Sequence, residues 1–435
     1  MKKFFICASN FCEERLLDCQ KVFDYFVANG WNPVKRVADA DIVIVGTVFY
    51  LEHEDCISIS TIRYYVKRKL PEAKMYIIGC ASNSLVELSA QFSNLIPIAS
   101  ADLSQFDDVI NPRIKFNEVA DPTRIDNSQV IFIPLLKRLL LFKTRLEKIS
   151  KDIKLDHHLL NFALYSLRNM FRYILLSKSY IHPSMLNYGN NYVYLRVSRG
   201  CTNNCSYCAI KNFAGSFKSK SVEKIITDFR RNLLSGFRFF YLSSEDTGCY
   251  GLDIGTTSVN LLKEIFLAGE GYDFKLMVTN FNAQWFVKYY DQLKDVLLKN
   301  QRKILFFQVP VQSGSNRILN LMHRPYRIED VQRNIIDLKS SAKYLTLTTD
   351  IIVGFPGESR EDFEATKTFL RKVKLSFVAI FSYEDRDFVE SSSLNRKVSF
   401  REKEERKFEL LKIQNYFIKN RVLLKKLSEF IKEIS

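Results

Sequence analysis

The chain has 435 residues, enough for two or three domains, and its composition of 47% hydrophobic and 13% aromatic residues excludes a disordered polymer. No apolar run approaches the ~20 residues needed to cross a bilayer, and the opening stretch MKKFFICASNFCEERLL meets Glu13 and Glu14 too early to serve as a signal peptide. The net charge of +16 and pI near 9.3 suit a polyanionic partner such as RNA, and equally a solvated basic surface.

Residues 1–105 alternate between strand and helix patterns. KKFFICA is a short apolar strand, and an amphipathic helix follows through Val22, Phe23 and Phe26 to Asn29-Gly30. ADIVIVGTVF is a buried strand, 55–69 is helical, and KMYIIGC is a third strand. The alternation predicts a small parallel sheet with helices on its faces. Cys7 and Cys80 fall at strand C-terminal ends, the edge where open parallel sheets gather ligands. Residues 106–190 read as two basic amphipathic helices, either a linker packed on the next domain or an RNA-contacting or substrate-capping element. From Tyr192 to residue 385 a regular rhythm sets in. YVYLRVS, FRFFYLSS, FKLMVT, ILFFQVP, LTLTTDIIV and FVAIFSY recur as candidate strands at intervals of roughly 30–45 residues, with helical patterns between them. Six β/α units predict a partial or complete barrel with its active edge at the strand C-termini. Residues 386–435 read as a basic helical tail.

The stretch RVSRGCTNNCSYCAIKNF places Cys201, Cys205 and Cys208 in one loop directly after the first barrel strand. In a cytoplasmic chain thiols stay reduced, so the nine cysteines are metal ligands or core residues before they are disulfides. A structural zinc site needs four ligands, and no fourth Cys or His is close by. A 4Fe-4S cluster on three thiolates leaves one iron free, and that iron can chelate the amine and carboxylate of S-adenosylmethionine (SAM). The Cys-x3-Cys-x2-Cys spacing, with Tyr207 before the third cysteine, is the radical-SAM signature.

On this loop and on SSEDTGCYGLDIGT (243–256), VPVQSGS (309–315), MHRPY (322–326) and TDIIVGFPGESREDFEAT (349–366), the chain resembles the radical-SAM methylthiotransferases over roughly 1–100 and 191–385. Its closest motif form is that of the subgroup acting on threonylcarbamoyladenosine in tRNA. The resemblance implies an α/β chain, a small parallel N-terminal domain followed by a (β/α)6-type partial barrel. It also implies SAM as cosubstrate and an external electron donor such as flavodoxin or ferredoxin. It places Ser243, Ser244 and Glu245 at the SAM amino group, where hydroxyls and a carboxylate supply acceptors. Gln312 is placed near the ribose or carboxylate, and Ile352 and Val353 on the adenine, with Gly354 giving clearance. Cys249 reads as a small core or rim residue rather than a ligand.

Three departures from the family stand out. The family binds a second 4Fe-4S cluster through three N-terminal cysteines. Here Cys7 and Cys80 match, but Val48 occupies the middle position and valine cannot bind iron. Cys12 is the first candidate substitute and Cys56 the second, while Cys19 reads as core. The family's C-terminal RNA-binding β-barrel has no counterpart in the helical tail, and RDFVES at 386–391 replaces a pocket element. The preferred substrate is therefore a tRNA, bound through cations of 135–175 and 401–426. A peptide or protein side chain is the alternative, and a radical-SAM enzyme that has lost methylthiolation is a further one.

Overall fold

A computed structural model describes residues 2–9, 12–48, 52–79, 92, 94–126, 131–132, 192–375, 377–386 and 388–418. The chain divides into two units, Met1–Ala120 with Ile125–Tyr188, and Asp121–Arg124 with Gly189–Ser435. The first unit contains β1 (Lys3–Ala8), α1 (Glu13–Ala28), β2 (Asn32–Pro33), β3 (Ile42–Thr47), α2 (Glu52–Val66), β4 (Lys74–Gly79), β5 (Leu95–Ala99), α3 (Phe106–Ile110) and β6 (Ile131–Phe132). Its sheet is parallel, in the order β2-β1-β3-β4-β5, with β6 pairing β1. β1 and β3 are apolar runs buried nearly end to end rather than alternating, as in parallel sheets covered on both faces. One face is covered by α1, whose Cys19, Val22, Phe23 and Phe26 join Phe4, Trp31 and Phe106 in an aromatic-rich core. The strand order reverses at β1, so the crevice lies beyond the ends of β1 and β3.

The second unit runs β7 (Tyr192–Arg196), β8 (Ser198–Arg199), β9 (Lys218–Ser219), α4 (Val222–Leu234), β10 (Phe239–Ser243), α5 (Ser258–Ala268), β11 (Lys275–Val278), α6 (Ala283–Lys288), α7 (Tyr290–Lys299), β12 (Ile304–Gln308), α8 (Asn316–Leu321), α9 (Ile328–Ser341), β13 (Leu347–Val353), α10 (Arg360–Val373), β14 (Phe377–Ser382) and α11 (Phe400–Ile418). Six strands form one all-parallel sheet in sequential order, β7-β10-β11-β12-β13-β14. All six candidate strands are present, and the α/β class with its six-stranded partial barrel stands. Ser221, Thr257, Asn282, Ser315 and Ser359 each accept a backbone N–H at the start of a helix, so the loops at the strand C-termini end in stable caps.

Three elements differ from expectation. β2 and β5 carry Pro33 and Pro97, residues that break the strand pattern in sequence but are tolerated at sheet edges. The stretch with the pattern of a tail contributes α11, which packs on β13, β14 and α10 as the last described helix of the second unit. Most of the basic stretch at 106–190, and residues 419–435, lie outside the described residues.

Candidate active site

The cysteine loop starts where β7 ends. Val197 N–H donates to the Ser243 carbonyl at 3.0 Å, and the short β8–β9 ladder closes the loop's base. Gly200 has a left-handed φ of 73°, and a Cβ there would meet the Gly215 and Ser216 carbonyls at 2.8 Å, so only glycine fits. Cys205 is buried, and Cys201 and Cys208 are half-buried. Asn203 donates to the Cys201 sulfur from its backbone N–H (3.4 Å) and from Nδ2 (3.0 Å). The Cys249 thiol donates to the Asp246 carbonyl at 3.2 Å, and its closeness holds the Cys201 thiol below its ordinary pKa, against burial. Burial pushes Cys208 up to about 11, assisted by the neighbouring Cys205. A bound metal overrides such shifts, because its own charge deprotonates a coordinating thiol.

Asp246 organises this loop. Its carboxylate accepts from Asn203 Nδ2 (2.6 Å), Trp285 Nε1 (3.1 Å), Gly248 N–H (2.8 Å) and Asn282 N–H (3.3 Å). Burial still raises its pKa. Cys249 is fully buried, in keeping with its sequence reading, but its thiol bonds the backbone of Asp246, the residue that organises the loop, which no sequence signal reveals.

A second clamp comes from the segment after α8. Ser206 N–H donates to Met322 O (3.2 Å), Ser206 Oγ to Leu321 O (2.7 Å), and His323 Nδ1 lies 3.1 Å from Asn204 O. Arg324 donates from Nη1 to the Cys205 sulfur (3.3 Å) and from Nη2 to Pro310 O (2.8 Å).

The residues predicted to face SAM sit along the same edge. The Ser244 hydroxyl is 2.7 Å from the Ser198 hydroxyl, and Glu245 accepts from Gly200 N–H at 3.1 Å, so both brace the cysteine loop. Ser243 is buried at the end of β10. Gln312 lies four residues beyond the end of β12, with a left-handed φ of 69°, and is held to β13 through Asp350 O and Ile352 N–H. Ile352 and Val353 are adjacent in β13 and therefore point to opposite faces. Both cannot pack on one adenine; Ile352 shares a cluster with Tyr207, Phe355 and Tyr383, and Val353 is fully buried. Gly354 has a φ of 71°, and the stem of Lys403 from α11 fills the space a Cβ there would need. The clearance expected at Gly354 is thus taken up by α11. A polar row crosses the strand ends: Asn280 Nδ2 donates to Ser244 O (2.9 Å), Asn280 N–H to Gln308 Oε1 (3.0 Å), and Gln308 Nε2 to Asp350 Oδ1 (2.8 Å).

In the first unit, Cys7 is fully buried in β1. Cys12 is half-buried and precedes α1, and Cys19 fills the space beside Gly46. Val48 is buried, with its backbone N–H and C=O both bonded to Ser58 Oγ (3.3 and 3.0 Å), which also meets Ser9 Oγ at 2.9 Å. Cys56 lies on α2, and Cys80 lies outside the described residues.

Among the described residues no three His, Cys, Asp or Glu side chains converge on a single metal ion. A four-iron cluster needs no such convergence, since each thiolate takes a different iron. Three thiols on one loop, a buried cation against one of them and a rim of N–H donors fit such a group. Residues 195–370, which span most of the all-parallel six-stranded sheet and carry this loop at its active edge, match the Radical SAM superfamily. The chain is similar to radical-SAM methylthiotransferases. A probable threonylcarbamoyladenosine tRNA methylthiotransferase of Pyrococcus horikoshii is 39% identical over 197 residues, 45% of this chain and 46% of that protein. A ribosomal protein uS12 methylthiotransferase RimO of Pseudothermotoga lettingae is 33% identical over 228 residues, 52% of each chain. RimO of Thermotoga maritima is 25% identical over 409 residues, 93% of this chain and 81% of that one. The chain spans about half the length of the first two. The radical SAM methyltransferase TsrM of Kitasatospora setae has the same fold, with a TM-score of 0.57 at 11% identity over 90% of this chain and 77% of that one.

Proposed function

We propose that the chain is a radical-SAM enzyme of methylthiotransferase type, acting on a C–H bond of a tRNA adenosine of the threonylcarbamoyladenosine kind. The observation that carries the reading is the loop of Cys201, Cys205 and Cys208 at the C-terminal edge of the six-stranded sheet, braced by Asp246 and by the 321–324 segment. These cysteines hold a 4Fe-4S cluster. When bound, the cluster supplies the electron that cleaves the SAM sulfonium to a 5′-deoxyadenosyl radical, the electron coming from a donor such as flavodoxin or ferredoxin. The chain's own residues fix the thiolates, present acceptors at Ser244 and Glu245 to the SAM amine, and form an apolar wall at Ile352 and Tyr207. No helix among the described residues is long and apolar enough to cross a membrane, and the reading places the enzyme in the cytoplasm with tRNA.

Two observations favour second readings. The relative that aligns over 93% of this chain is a ribosomal-protein methylthiotransferase, which favours a protein side chain as substrate. Val48, sealed by Ser58, does not fit a second cluster held in the family's manner, which favours radical chemistry without sulfur insertion. Mass spectrometry of digested tRNA and of cell peptides from a deletion strain and its parent separates these. Loss of one SCH2 unit from a tRNA nucleoside supports the proposal, loss from a peptide supports the protein substrate, and no such loss supports the third. Iron counts on a Cys201/Cys205/Cys208 triple alanine variant decide the sulfur question. Near four irons, falling on Cys12→Ala but not on Cys19→Ala, supports sulfur insertion, and near zero supports its loss.

A further inference from the structure

Arg324 is a buried cation for which the radical-SAM chemistry proposed above has no assigned use. The residue is 6% exposed, and its side chain bonds to the Pro310 carbonyl, the Tyr326 hydroxyl (3.4 Å) and the Cys205 sulfur. Among the described residues no carboxylate lies within ion-pair distance of it; Asp246 and Asp350 feel its charge without pairing. Burying a guanidinium is costly unless an opposite charge answers it. The sulfur of Cys205 is the anion-forming group it touches.

We infer that Arg324 is a positioning residue that donates a charge-assisted hydrogen bond to the Cys205 thiolate and raises the reduction potential of the cluster bound there. The inference rests on the reading of Cys205 as a cluster ligand. One-electron reduction adds a negative charge at the cluster while no protein bond forms or breaks. A fixed cation with its N–H aimed at a ligating sulfur stabilises the more negative state, and hydrogen bonds to sulfur are among the factors that set such potentials. Cys201 is served differently, by the neutral Asn203 amide and with the Asp246 carboxylate 4.0 Å from its sulfur, so the cationic hydrogen bond singles out one corner of the three-cysteine set. The loop has other holds besides Arg324. Ser206 and Asn204 are held by Met322, Leu321 and His323, and the Arg324 backbone N–H bonds Leu319 O whatever the side chain.

The test is a redox titration of the full-length chain, anaerobically reconstituted with iron and sulfide and free of SAM. Dithionite is the reductant and the EPR signal of the reduced cluster is the readout. Arg324→Gln is expected to lower the ratio of reduced to oxidised cluster at least tenfold at a fixed potential, a 59 mV shift for a one-electron couple. Arg324→Lys keeps the charge but cannot span both Pro310 and Cys205, and is expected to shift the same way by less. An unchanged midpoint in Arg324→Gln overturns the inference, whether iron is full or reduced, because a merely structural role alters occupancy and leaves the potential of the remaining clusters alone. If that variant is insoluble, an unchanged midpoint in Arg324→Lys overturns it. A wild-type chain that assembles no cluster defeats the radical-SAM reading itself, which is a different result.

Discussion

Asp246 carries more of the cysteine loop's geometry than any cysteine does. Its carboxylate answers four N–H donors from three segments, with the Cys201 sulfur 4.0 Å away, and it is buried. Asp246→Ala strands those donors at about 1–3 kcal/mol for each one left unsatisfied. The expected outcome is a lowered melting temperature and reconstituted iron well below the wild-type content, with Asp246→Asn intermediate. Iron assay and thermal unfolding check this. At the other end of the polar row, burial pushes Asp350 up to about 6. An unfolded Asp titrates near 3.9. Between about pH 4 and 6 the folded chain therefore binds a proton that the unfolded chain does not, so this residue's contribution to stability falls as pH rises through that window. Asp350→Asn is expected to flatten that fall while keeping the Gln308 hydrogen bond, as denaturant midpoints at pH 4.5 and 6.5 would show. The three loop cysteines are legible in sequence because they lie within eight residues of one another and follow a strand. Asp246 and Arg324 are not, because their partners are remote: Arg324 and Cys205 are 119 positions apart and only the fold brings them together.

At the scale of elements, α11 closes the second unit. Arg406 forms a buried ion pair with Glu358 and also reaches Glu402 on its own helix. Glu358 in turn accepts from Gly354 N–H at 2.6 Å, so the pair connects α11 to the turn after β13. Arg360 and Lys367 of α10 share Glu409 of α11. Removing one member of a buried pair leaves an uncompensated charge. Arg406→Met is therefore expected to destabilise the chain by about 3–5 kcal/mol, and the double variant Arg406→Met/Glu358→Gln by clearly less. Denaturant unfolding of the three proteins measures the difference. The barrel strands are readable because each is an apolar run flanked by polar turns, whereas α11 has the look of a tail because its sequence is strongly charged. Its docking rests on ion pairs and on Leu410 and Leu411, a narrow apolar strip that periodicity does not reveal.

For the whole molecule, the +16 charge supports an RNA partner only where cations are free to meet phosphates. In α11 several are already engaged: Arg401 pairs with Glu405, Arg406 with Glu358, and Lys403 donates to Tyr383 O at 2.8 Å. The expected RNA footprint therefore shifts from 401–418 toward the basic stretch at 135–175, which lies outside the described residues. Neutralising several Lys and Arg of 135–175 is expected to weaken tRNA binding and flatten its log–log dependence on salt by about 0.7–0.9 for each phosphate no longer neutralised. Neutralising Arg401 and Lys407 is expected to change the slope little; binding that ignores salt would move the preference to a protein substrate. The central claim is tested most directly by quantifying 5′-deoxyadenosine after the anaerobically reconstituted chain is mixed with SAM and dithionite. The account predicts multiple turnovers for the wild type and none for alanine at Cys201, Cys205 or Cys208, whereas undiminished 5′-deoxyadenosine from the triple variant would contradict it.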